Sequence, residues 1–239
     1  MARVKTTTPA RAAARDLWHH YGRSRTRADR TVPDSFSWVW AQDGGPGTEV
    51  LGDLSGLVMA DLGAGAARHA AHLATHHAPA RVDAVDGSPA QHAMSRDLYS
   101  DLAPRLRTLH ADVVEHLDAH PGAYDVLYSV FGAFDFTDPR RLLPAAARAL
   151  RPGGLFAAST LGHYIGGAPA EPDVRHADIP ARDADGLPAS MRRWVLQEHV
   201  WTKLLEEADF TAISIARFPP TTSGARAADT LLIQAYRPR

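Results

Sequence analysis

The chain of 239 residues contains no cysteine. That excludes disulfides, thiolate metal sites and a cysteine nucleophile, and leaves the redox compartment open. Long apolar runs are also lacking: none approaches the roughly 18 residues of a membrane span. Lysine is scarce, and no sign of charge dominates, since 26 basic side chains face 27 acidic ones for a formal net charge of −1. Such a balance gives no global field to attract nucleic acid or an anionic membrane. Neither is expected as a partner, and the expected compartment is the cytoplasm. Hydrophobic residues make up 45% and charged ones 22%. That is an ordinary globular composition, suited to one large domain with some decoration.

The first thirty residues lean basic, with Arg3, Lys5, Arg11, Arg15, Arg23, Arg25, Arg27 and Arg30 against Asp16 and Asp29. They lack the apolar core of a secretory signal. An arginine-rich, acid-poor transit peptide is one reading. The preferred one is a short helix over Arg11–Tyr21 whose Leu17, Trp18 and Tyr21 form an apolar stripe for docking. Residues 1–50 are thus expected to form a helical, aromatic segment covering an active site. The Gly44-Gly45-Pro46-Gly47 turn separates it from a main domain over 51–239.

From Leu57 onward short apolar runs alternate with helical stretches. Strands are expected at Gly56–Leu62, Arg81–Asp86, Leu106–His110, Tyr124–Val130 and Gly154–Thr160. Helices are expected at Ala66–His77, Pro89 to about Ser100, Val113–Asp118 and Pro139–Leu150. This alternation predicts an α/β fold, a parallel sheet covered on both faces and doubly wound by right-handed crossovers. After Thr160 the regularity breaks. Residues 163–190 are rich in proline, glycine, alanine and aspartate, and a loop that long is usually functional or mobile; it is expected to be a substrate-facing insertion. A helix is expected over Trp194–Ala208, with Trp194 and Trp201 on one face, and closing strands at Thr211–Phe218 and Thr230–Tyr236.

Three signals carry the chemistry. Asp61-Leu62-Gly63-Ala64-Gly65-Ala66-Ala67-Arg68 follows the first strand and opens a helix. Glycines there allow close backbone approach to a ligand, and the helix start offers free N–H groups. A dinucleotide fingerprint wants glycine or alanine where Arg68 stands, and Asp61 suits a cationic ligand better than a pyrophosphate. Asp86, ending the second strand in Asp86-Gly87-Ser88-Pro89, can accept both hydroxyls of a ribose. Ser88 and Pro89 equally read as a helix N-cap and first residue. Asp112-Val113 after the third strand can meet an adenine amino group and ring nitrogen, although Asp112 also reads as a helix cap. All three acids fall at carboxyl ends of neighbouring strands, where doubly wound sheets bind ligands.

The set Asp61-x-Gly63-x-Gly65, Asp86-x-Ser88, Asp112-Val113, Tyr124-Asp125-Val126-Leu127 and Leu150-Arg151-Pro152-Gly153-Gly154 resembles class I S-adenosylmethionine-dependent methyltransferases over about Leu57–Thr160. The resemblance implies a Rossmann-like seven-stranded sheet with the last strand antiparallel, and S-adenosylmethionine as cofactor. It implies that Asp61 and Gly63 hold the methionine end, Asp86 the ribose, and Asp112 with Val113 the adenine. Gln91 would pack over ribose and adenine, and Ser129, Val130 and Phe131 would line the methyl-transfer pocket. Ala67 stands where many members carry a third glycine. More narrowly, Tyr128–Phe136 and Thr160–Tyr164 resemble small-molecule methyltransferases of actinobacterial secondary metabolism, which implies a natural-product acceptor and a role such as antibiotic biosynthesis. No Asn/Asp-Pro-Pro-aromatic motif follows the fourth strand, so base amines are not expected targets. Ser129 stands where metal-dependent catechol-type enzymes place an acid, and Asp135 and Asp138 read as loop and cap residues.

His163, after the fifth strand and beside Tyr164, is the nominee for a general base; its alternative is a pocket-wall role. Tyr21, Trp40 and Tyr164 are the nominees for the acceptor wall, with Phe36 and Trp38 nearby; simple docking of the segment is the alternative. His69, His72 and His76 share a helix face without a carboxylate, so no metal is expected. The rival readings are an NAD-dependent oxidoreductase and a non-catalytic binding domain. An apolar N-terminal helix that exchanges between subunits would make a homo-oligomer.

Overall fold

The computed structural model describes residues 16–22, 31–221, 223–224 and 226–239. The expected helix from Arg11 lies partly outside them; its described part, Asp16 to Gly22, forms turns instead. Seven strands form the main sheet in the order β3-β2-β1-β4-β5-β9-β8. They are β1 (Val58–Leu62), β2 (Arg81–Asp86), β3 (Leu106–His110), β4 (Tyr124–Val130), β5 (Leu150–Leu161), β8 (Thr211–Phe218) and β9 (Thr230–Tyr236). The first five pair in parallel, and β9 runs antiparallel to both β5 and β8. The helices are α1 (Arg68–His76), α2 (Pro89–Tyr99), α3 (Val113–Asp118), α4 (Ala133–Phe136), α5 (Pro139–Ala149) and α6 (Glu198–Glu207).

Successive strand residues point to opposite faces, so the near-continuous apolar runs feed two cores. On one face Leu62, Leu127, Phe156 and Ile233 pack with Leu117 of α3, Phe134 of α4, Leu142 of α5 and Trp201 of α6. On the other, Met59, Val126, Tyr128 and Leu232 pack with Leu73 of α1, Tyr99 of α2 and the incoming Phe36 and Trp38. Burial on both faces is what a parallel sheet requires. Trp38 is fully buried, which makes it a docking residue of the N-terminal segment.

Two expectations are corrected. Residues 163–190 are not simply irregular: β6 (Ala177–Arg182) and β7 (Pro188–Arg193) form a separate two-stranded antiparallel ribbon. Pro180 and Pro188 hide it in the sequence, yet a two-stranded ribbon is all edge, where proline is tolerated. Its turn is held by Asp183, whose carboxylate accepts from the N–H groups of Asp185 and Leu187. The last helix begins at Glu198, so Trp194 precedes it and shares a core cluster with Trp201 rather than a helix face.

Candidate cofactor and acceptor cleft

The glycine turn is shaped first by its neighbours. The N–H groups of Gly63 and Ala64 both donate to the Val85 carbonyl, at 2.9 and 3.1 Å. Gly63 has φ +76°, and a Cβ there would meet the Ala133 nitrogen at 2.2 Å. Its missing side chain therefore admits the start of α4, in addition to freeing the backbone. Ala67 occupies the left-handed region at φ +61° as N-cap of α1, fully buried. The alanine keeps the turn that glycine would make, at a conformational cost of about 1–2 kcal/mol.

Asp61 lies beneath this turn, 2% exposed, with its Oδ2 lacking any hydrogen-bond partner. Burial pushes its carboxyl up to about 8; the Tyr128 hydroxyl on the paired strand opposes this and nearby Asp86 adds to it. A buried carboxylate oxygen without a partner is costly, and a cationic group reaching the turn would satisfy it. Asp86 accepts from the Gly65 N–H at 2.7 Å and the Ser88 N–H at 2.8 Å. Burial raises its pKa, and these two N–H groups hold it down. Two lone-pair directions remain for hydroxyl donors.

Ser88 caps α2, its Oγ accepting from the Gln91 N–H at 3.2 Å. The same hydroxyl donates to Asp16 at 2.8 Å, and Asp16 also accepts from the Ala90 N–H at 3.2 Å. Gln91 donates its amide to the carbonyls of Trp18 and Tyr21, at 2.8 and 2.9 Å. The turn over residues 16–22 is thus fastened across the start of α2. Asp112 caps α3, accepting from Val114 and Glu115 at 2.9 and 3.0 Å.

These groups surround one cleft of about 1360 Å³ at the carboxyl ends of β1 to β4. Gly63, Gly65, Asp86, Gly87, Ser88, Gln91, Asp112 and Val113 line one part of it. Tyr21, Trp40, Phe131 and Phe136 line it as well. Phe131 has φ +48°; a bulky residue held there is a backbone outlier of the kind that clusters at functional sites. Its ring meets Trp40 edge-on, with centroids 5.1 Å apart. His69 is also on the cleft wall. Burial, then His72 and Arg68, lower its pKa to about 4, which keeps the imidazole neutral.

Three sequence nominees sit elsewhere. His163 is not on the cleft wall: one ring nitrogen faces the Tyr164 carbonyl at 3.0 Å, and the other accepts from the Asp229 N–H at 3.2 Å. Both nitrogens are occupied by backbone, so the base assignment is withdrawn. Tyr164 is not on the cleft wall and packs, like Trp40 and Phe131, against the cluster of Leu161 and Val195. Ser129 is fully buried and clips β1 to α4, donating to the Leu62 carbonyl and accepting from the Phe134 N–H. Asp135 is no loop residue: it is fully buried and ion-paired with Arg193 at the end of β7. Asp138 does cap α5, accepting from the Arg140 N–H at 2.9 Å.

Sequence reasoning missed the parts played by Asp16 and Phe136 and the Asp135–Arg193 pair. Arg193 is 58 residues from Asp135 and Asp16 is 72 from Ser88, and no local spacing signals such contacts. Among the described residues no group of histidines and acids is arranged to hold a metal ion.

Residues 59–154 match the family of methyltransferase domains. A search of curated proteins finds no match. Solved structures share the fold. An S-adenosylmethionine-dependent methyltransferase from Mesorhizobium loti is 23% identical, with 79% of this chain and 94% of that one covered at a TM-score of 0.57. The 1,6-didemethyltoxoflavin-N1-methyltransferase of Burkholderia thailandensis is also 23% identical, with 77% and 72% covered at 0.53. The geranyl diphosphate C-methyltransferase of Streptomyces coelicolor is 15% identical, with 78% and 72% covered at 0.57. The floor of the cleft, β1 through the start of β5, thus matches a methyltransferase-domain family, and the sheet shares the fold of S-adenosylmethionine-dependent methyltransferases.

Proposed function

We propose that the protein is an S-adenosylmethionine-dependent methyltransferase acting on a small organic acceptor, a natural-product intermediate. The observation that carries the reading is the buried Asp61 carboxyl, one oxygen of it without a hydrogen-bond partner, beneath a glycine turn that lines the same cleft as Asp86 and Asp112. In this reading Asp61 receives the ammonium of the methionine end, and Asp86 accepts the ribose hydroxyls. Asp112 and the Val113 N–H meet the adenine. A pyrophosphate fits poorly, because it brings neither the cation nor the donor that the Asp61 oxygen lacks, and its charge would oppose ionisation of that acid. The bound cofactor supplies a methyl group on a sulfonium, which a nucleophile displaces with a neutral thioether as leaving group. The chain's own work is to align the two reactants and exclude water. Trp40, Phe131 and Phe136 wall the acceptor, and the turn at 16–22 covers the site. The toxoflavin-precursor and geranyl diphosphate enzymes among the structural relatives support a small acceptor.

Calorimetric titration tests this. S-adenosylhomocysteine is expected to bind in the micromolar range and NAD⁺ not at all. Asp86→Ala should weaken binding at least tenfold, about 1.4 kcal/mol. A folded protein that ignores S-adenosylhomocysteine would overturn the reading, and NAD⁺ binding in its place would make the protein an oxidoreductase.

A further inference from the structure

The acceptor wall has a feature that methyl transfer does not require. Behind it lies a buried cation. The Arg193 guanidinium stands 5.4 Å from the ring centroid of Trp40 and 5.2 Å from that of Phe136. Both rings line the cleft, while Arg193 does not. It is buried to 5% exposure, and Asp135, its ion-pair partner, is wholly buried. The guanidinium is the member of the pair that touches the rings. The pair's positive end is therefore turned to the wall and its negative end to the core, where the second Asp135 oxygen has no hydrogen-bond partner. The backbone reinforces the arrangement, since the Trp194 N–H donates to the Asp135 carbonyl at 2.8 Å.

The cleft lining carries charge of both signs, with Arg68 at the start of α1 among its cations. The acids on its described lining, Asp16, Asp86 and Asp112, all stand at the starts of α2 and α3. Beside Trp40, Arg226 also lines the cleft, its carbonyl accepting from the Trp40 indole N–H at 2.9 Å. A cation on one face of an aromatic ring draws its electron density that way. The opposite face is left better suited to an electron-rich, negatively charged ring.

Resting on the methyltransferase reading, we propose that the acceptor enters as a planar conjugated oxyanion of the phenolate class, stacked on Trp40, with Arg193 as the positioning residue that polarises that ring; Phe136 packs against Trp18 at 4.6 Å and braces the wall. The acceptor's proton then goes to solvent before entry. No base on the wall is needed, which accords with His163 lying off the cleft and with the low basicity of His69, whose pKa burial lowers to about 4. Arg193 also explains what the β6–β7 ribbon contributes: its last residue backs the acceptor wall.

A probe whose colour reports its own ionisation tests this without turnover. 4-Nitrophenol is titrated, across the pH range of its own ionisation, with protein saturated by S-adenosylhomocysteine. The wild type should bind the anion about tenfold more tightly than the neutral phenol, read as a drop of about one unit in the bound probe's apparent pKa. Arg193→Met should abolish the drop, and Arg193→Lys, which keeps the charge but not the planar fork, should restore part of it. Trp40→Leu removes a ring through which the charge acts and leaves the buried pair intact, so it too should reduce the drop. A wild type that prefers the neutral phenol, or that binds neither form, overturns the proposal. So does an anion preference that survives both Arg193→Met and Trp40→Leu. Failure to bind S-adenosylhomocysteine would strike the methyltransferase reading instead.

Discussion

At neutral pH Asp61 carries a proton, because burial holds its pKa at about 8. A ligand ammonium reaching it would draw that pKa down and expel the proton. Binding of S-adenosylhomocysteine at pH 7 should therefore release about one proton, measured by calorimetry in buffers of different ionisation enthalpy, and Asp61→Asn should release none. Stability follows with a definite sign. Between about pH 4 and 8 the native state holds one proton more at this residue than the unfolded chain. Its contribution therefore falls with rising pH, by about 1.4 kcal/mol per unit. Melting curves of the unliganded protein over that range should show a shallower decline for Asp61→Asn than for the wild type.

Single elements carry double duties. Asp112 faces the cleft and also caps α3 through two N–H groups. The duties separate by substitution. Asp112→Ala should lose about 1 kcal/mol of stability and weaken S-adenosylhomocysteine binding. Asp112→Ser keeps the cap, so it should keep the stability while still weakening binding; chemical denaturation and calorimetry read the two effects. The same duality governs what could be read from sequence. Strands β2, β3, β4, β8 and β9 were legible to the residue, because apolar runs there are bounded by turn residues. The β6–β7 ribbon was not, because its prolines and short apolar content mask the alternation of its half-covered face. The acids at the ends of β1, β2 and β3 were legible because their role depends on position along a strand. Arg193 and Asp16 were not, since each acts on a residue far away in the chain.

The sheet's two ends do different work. At the carboxyl ends lies the cleft. Toward the amino ends a buried chain of polar groups joins the strands: Tyr124 donates to Asp83 at 3.0 Å and stands 2.7 Å from His116 Nε2. Arg81 and Arg107 flank the same Asp83. Burial lowers the His116 pKa and raises that of Tyr124, so both stay neutral. Tyr124→Phe leaves two buried polar partners without their shared hydroxyl. It should destabilise the fold by about 1–3 kcal/mol in denaturant titrations with no change in S-adenosylhomocysteine affinity. A change in affinity would mean that the two ends communicate.

The left-handed backbone at Phe131 sets a limit on how this molecule can be improved. Glycine is the residue that such a dihedral favours, and glycine there would remove the ring that braces Trp40. Any effort to raise heat resistance by relaxing strained positions would reach residue 131 early and would take down part of the cleft wall. At that position the more durable protein and the better-walled cleft call for different residues.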